Sequence, residues 1–227
     1  MKPHLILRFG HCIDYDGAFL PEKWTRLAFS FTDLGTGSSR LGKFVDGVLV
    51  DQQVVGAGRH RLDPTDGVLI MTDNDDETFK GRIATFALVD RAVTDDEIEL
   101  LGGATPGGIF QRGSEGVTEF DFTGGISGGI LTARIGTGSL IARSVKSYSE
   151  DAGIVFAAEG PVGGLSLETD YGTGATSYSL IFDLYLYSVQ PGGFGGLLQT
   201  DGQNLSDGGK HLGLELLCAT KTCQICL

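Results

Sequence analysis

The chain has 227 residues, of which 41% are hydrophobic and 20% charged, a balance that supports a buried core and excludes a disordered segment. A formal charge of −12 disfavours nucleic acid and anionic membrane surfaces, whose recognition needs clustered Lys and Arg. No apolar run reaches membrane-spanning length, and 36 Gly without a Gly-X-Y period exclude collagen and favour a β protein with many tight turns.

The opening "MKPHLILRF" has one Lys and a short apolar core, which makes a poor signal peptide. In "GHCIDYDGAFLPEKW", Asp14, Tyr15 and Asp16 combine a ring with two carboxylates, the chemistry that lines a sugar-binding rim. "WTRLAFSFTD" then alternates, with Leu27, Phe29 and Phe31 on one face and Arg26, Ala28 and Ser30 on the other. That period of two predicts a half-buried strand. "SRLGKFVDGVLVDQQ" predicts a hairpin about Asp46-Gly47, a pair that tolerates the positive φ of a two-residue turn.

"GVLIMTD" and "GRIATFALVDRAV" read as further strands. Between them "TDNDDETFKG" places Asp73, Asp75, Asp76 and Glu77 in one acidic loop, hard oxygen ligands of the kind Ca²⁺ prefers. The loop lacks the EF-hand glycine and its closing bidentate Glu, and a solvated acidic turn is the plainer reading. "TDDEIELLGG" is a capping box: Thr94 caps, Glu97 reaches back, Ile98 and Leu101 dock, and the glycines stop the helix.

From Gly102 to Gly116 no period survives, and the stretch reads as a linker. Strands resume with "TEFDFTG", "GILTARIG", "SLIARSV", "AGIVFAA", "GLSLETDYG", "YSLIFDLYLYSV" and "FGGLLQTD". In the strongest, Leu180, Phe182, Leu184 and Leu186 alternate with Ser179, Ile181, Asp183 and Tyr185. The tail "KHLGLELLCATKTCQICL" changes character. It reads either as an artefactual end, such as a frame change, or as an edge strand. Its Cys218, Cys223 and Cys226 lack a defined fourth zinc ligand and read as incidental thiols.

The ordered set Trp24, Asp46-Gly47, Gly81 before a strand, and Thr94-x-x-Glu97-Ile98 resembles the laminin-G-like, concanavalin-A-like jelly-roll family. The resemblance spans Pro21 to Gly103 and implies an all-β antiparallel sandwich. It matches the second half of such a module, while Glu119 to Gly209 is similar to the first half of another. The resulting division is a module part over 1–103, a linker over 104–118, the start of a second module over 119–209 and an atypical tail over 210–227. Halves in the order second-then-first are those of a circular permutant. Two outcomes follow: either "WTRLAFSF" and "SYSLIFDLYL" meet in one core, which is favoured since each half alone would leave apolar faces open, or each half folds partially and aggregates.

This fold family also hosts glucanases, whose strands show Glu-x-Asp-x-x-Glu. Here Glu119 and Asp121 are followed by Gly124 where the third carboxylate belongs, so Glu119 and Asp121 read as polar residues on the wet face of an edge strand. No His-x-x-x-His spacing, nucleophile elbow or phosphate loop occurs. The expectation is a non-catalytic carbohydrate-binding or adhesion module of a larger secreted bacterial protein. It would bind a glycan or cell-surface ligand, with Ca²⁺ as the candidate cofactor, and enter neither nucleic acid nor membrane. An extracellular location assumes a signal peptide upstream of this chain. The alternative is an accessory fragment of a secreted phosphoesterase or glycosidase whose catalytic domain lies outside it.

Overall fold

The computed structural model describes residues 22–56, 62, 68–72, 81–105, 107–126, 128–142, 154–156, 164–169, 175–187, 193–200, 213–219 and 222–226. Its strands form two seven-stranded sheets. The first contains β1 (Trp24–Asp33), β2 (Ser39–Val45), β3 (Val48–Val55), β5 (Gly81–Val89), β6 (Val117–Asp121), β9 (Ile154–Phe156) and β11 (Tyr178–Leu186). Its order is β3-β2-β1-β11-β5-β6, with β9 also on β5. The second runs β14-β13-β12-β4-β10-β8-β7. Here β4 is Val68–Ile70, β7 Ile130–Thr132, β8 Ser139–Ala142, β10 Leu165–Glu168, β12 Gly193–Thr200, β13 Gly213–Ala219 and β14 Thr222–Cys226. All pairings are antiparallel, and the fold is the expected all-β sandwich. The tail that changes character in sequence supplies the β13–β14 hairpin.

The early and late halves share one sheet, because β11 lies between β1 and β5. Phe29 opposes Leu180 and Leu27 opposes Phe182. Leu27, Phe29 and Phe31 are fully buried in a core that takes Phe86, Phe120 and Phe182 from the first sheet and Ile70, Leu140 and Leu165 from the second. Phe29 meets the Phe182 ring edge-on at 6.2 Å, and Phe31 stacks on Tyr178 at 4.5 Å.

The second face of β1 corrects the half-buried expectation. Arg26, Ala28 and Ser30 are as buried as their neighbours. A layer built by α1 (Asp95–Leu101) and the segments flanking it covers this outer face. Ala28, Phe44, Ala87 and Ile181 pack there against Val93 and Ile98, with Ile109 and Phe110 from the linker-like stretch joining them. Polar residues of the sheet tie the layer down. The Ser30 hydroxyl donates to Val93 O at 2.7 Å, and the Val93 N–H donates to the Ser179 hydroxyl at 2.8 Å.

The β2–β3 turn has positive φ at both Asp46 (49°) and Gly47 (86°), the two-residue hairpin turn that Asp-Gly favours. Glycine is required for a second reason. A Cβ at position 47 would stand 3.1 Å from Glu99 O and from Gly102 Cα, where the hairpin tip passes under the end of α1.

The helix begins as its sequence dictates, with both arms of the capping box formed at Thr94 and Glu97. Glu97 also receives both Arg91 guanidinium nitrogens, at 2.9 and 2.7 Å. Those hydrogen bonds, with the Thr94 N–H, hold the Glu97 carboxyl down at about 2. A depressed acid stabilises the fold above its ordinary range and loses that contribution as pH falls. A carboxyl-carbon NMR titration should therefore show Glu97 ionised to about pH 2, with the cap's contribution lost between 4.5 and 2. A Glu97 midpoint at the ordinary value would show the cap to be open in solution.

Candidate functional site

The outer face is not covered throughout. Beyond the helix layer, β1, β11 and β5 bring Trp24, Tyr185 and Arg82 into one transverse row, since Trp24 pairs with Tyr185 and Tyr185 with Arg82. Tyr187, two residues past Tyr185, projects beside them. The Trp24 and Tyr185 rings lie 5.6 Å apart at 57°, and the Tyr185 and Tyr187 rings 5.5 Å apart at 70°. The Arg82 guanidinium carbon stands 5.3 Å from the Tyr187 ring centre, a cation–π contact, and Arg82 Nε donates to the Tyr187 hydroxyl. All four side chains are partly exposed. The rings are tilted to one another, so they make a stepped apolar surface with a cation at one side.

The next row inward is polar and buried, and it fixes the aromatic row in place. Arg26 Nε and Nη2 donate to Asp183 Oδ1 and Oδ2 at 2.7 and 2.8 Å, a bidentate bridge. Arg26 Nη1 donates to Leu101 O at 2.6 Å and so caps the last turn of α1. Burial pushes the Asp183 carboxyl above its ordinary value, while Arg26 and the Thr105 N–H pull against it. Asp46 completes the frame, accepting the Arg26 N–H through Oδ1 and Lys23 Nζ through Oδ2, both at 2.9 Å. Two residues share a strand face on each side of this bridge, Trp24 with Arg26 and Tyr185 with Asp183. A rigid buried bridge therefore sets the spacing of the exposed rings.

Glu119 is a correction. It lies on edge strand β6 but has no exposure. Its carboxylate accepts from Arg134 and from the N–H groups of Ile109 and Phe110, at 3.1 and 2.8 Å for the two backbone donors. Asp121 accepts from the Thr123 N–H and hydroxyl through one oxygen. Glu119 is thus a brace holding the 109–110 segment onto the sheet, while Asp121 closes a local turn at Thr123.

The sequence candidates Asp14, Tyr15 and Asp16, and the acidic set Asp73, Asp75, Asp76 and Glu77, lie outside the described residues. Among the described residues no group of three or more His, Cys, Asp and Glu is placed to hold a metal. In the tail hairpin, Cys218 and Cys223 are backbone partners and Cys226 pairs with Glu215. No helix among the described residues is long and apolar enough to cross a membrane. The aromatic row is not legible in the sequence because Trp24, Arg82 and Tyr185 lie on strands distant in the chain and only strand register unites them. The available signal was the run Tyr185-x-Tyr187 at the end of a strongly alternating strand.

Residues 10–99 match the family model Laminin_G_3, described as the concanavalin A-like lectin/glucanases superfamily. Neither the curated proteins nor the solved structures yield a match to the chain. Over residues 10–99, less than half of its length, the chain is therefore similar to the concanavalin A-like lectin/glucanases superfamily, and its two-sheet antiparallel sandwich agrees with that likeness.

Proposed function

We propose that the protein is a non-catalytic glycan-binding module whose binding surface is the row Trp24, Tyr185, Tyr187 and Arg82. The observation that carries this reading is that three aromatic rings and Arg82, all partly exposed, are brought into contact with one another at the uncovered end of the outer sheet face. The apolar C–H face of a sugar ring suits an aromatic ring, and its hydroxyls suit Arg and Tyr donors. The likeness of residues 10–99 to the concanavalin A-like lectin/glucanases superfamily supports the carbohydrate class. The non-catalytic reading is supported by Glu119, whose acceptor capacity is committed to Arg134 and two backbone N–H groups.

An extracellular setting, as part of a larger secreted bacterial protein, accompanies this reading, as does Ca²⁺ on the acidic stretch from Asp73 to Glu77. The test is a glycan array with and without millimolar Ca²⁺. The unmodified protein should bind a defined sugar class, and Tyr185→Ala should weaken it by about 10-fold or more, the loss of one stacking contact with its buried area. No bound glycan in either condition would reject the reading. Hydrolysis of a bound sugar would favour the glycosidase alternative.

A further inference from the structure

We propose that Lys43 and Asp51 join through an intramolecular amide, a covalent rung across the β2–β3 hairpin. The two residues are direct register partners on adjacent strands. Lys43 Nζ stands 3.9 Å from Asp51 Oδ2, too far for a hydrogen bond. Both atoms are buried, and neither has a hydrogen-bond partner. Lys43 itself has no exposure, and the Asp51 side chain retains 26%.

The surroundings are apolar. Lys43 opposes Phe29 on β1 and shares its strand face with Leu41 and Val45, all of them core residues. An ammonium in such a place has lost its water and gained no donor–acceptor contact in return, which is costly. Burial lowers the Lys43 pKa to about 8, with Asp51 partly opposing the shift. This amine therefore gives up its proton more readily than a surface lysine does.

The ion pair already contains every atom the reaction needs. A proton passes from the Lys43 ammonium to the Asp51 carboxylate, leaving a neutral amine beside a carboxylic acid. Nζ attacks Cγ, the Nζ–Cγ bond forms and the Cγ–OH bond breaks. The hydroxyl departs with a second proton from nitrogen as water, so atoms balance and no oxidant or co-reactant enters. Attack requires the reacting atoms at about 3–3.5 Å, an adjustment within reach of the flexible lysine stem. The product is neutral and removes both charges from the interior. A site that excludes water also disfavours the reverse hydrolysis.

The test is peptide mapping of the full chain by mass spectrometry. Trypsin cuts after Arg40, Lys43 and Arg59 in the unlinked protein. With the amide formed, cleavage after Lys43 is blocked, and one peptide covering 41–59 appears with the mass of one water missing. Asp51→Asn should give the same linked peptide by losing ammonia instead, and Asp51→Ala should restore cleavage after Lys43. Complete recovery of the free 41–43 peptide after prolonged incubation of the folded protein would overturn the proposal. So would a water loss confined to 44–59, which marks cyclisation at Asp46-Gly47 and leaves Lys43 cleavable.

Discussion

Replacing Asp183 with Ala should cost about 3–5 kcal/mol of folding stability, because it leaves the Arg26 guanidinium buried and uncompensated. Arg26 is 2% exposed and Asp183 1%, so water cannot replace the lost partner. The change also frees an anchor between β1 and β11, the junction of the two halves of the chain. Urea unfolding reads the effect as a fall in midpoint. The double variant Arg26→Leu with Asp183→Leu should recover much of the loss, since an apolar pair carries no desolvation cost. A cost for Asp183→Ala below about 1 kcal/mol would place the bridge with weakly contributing surface pairs and remove it as the frame of the aromatic row.

Phe29→Ala should cost a similar amount, about 3–5 kcal/mol, by opening a cavity where the sheets meet. Phe29 is fully buried and its ring contacts Phe182, so the neighbours that could collapse into the space are themselves held in register. Thermal unfolding should remain cooperative, with a lower midpoint. A loss below about 1 kcal/mol would mean that the site collapses, contrary to close packing.

What sequence could and could not disclose follows from range. The β1 strand, the Asp46-Gly47 turn and the Thr94–Glu97 box come from local patterns, and each element appears in the structure where its residues place it. The meeting of "WTRLAFSF" with "SYSLIFDLYL" was legible from completeness, since two open apolar faces need each other. The fate of the second face was not. Arg26, Ala28 and Ser30 look like a wet face, yet in the fold each is buried beneath the helix layer, and Arg26 and Ser30 bond to it. Glu119 misled for the same reason, because its partner Arg134 and the N–H groups of 109–110 reach it only in the folded chain. The aromatic row needed the register of three strands, which no local pattern encodes.

Trp24 provides the most direct test of the glycan surface, because it is the single tryptophan of the chain and its fluorescence reports that row alone. Titration with an oligosaccharide that the protein binds should shift or quench Trp24 emission saturably and shield it from acrylamide, and Tyr185→Ala should reduce both effects. Binding of that oligosaccharide by calorimetry, with Trp24 emission and quenching unchanged, would place the sugar elsewhere and contradict the account.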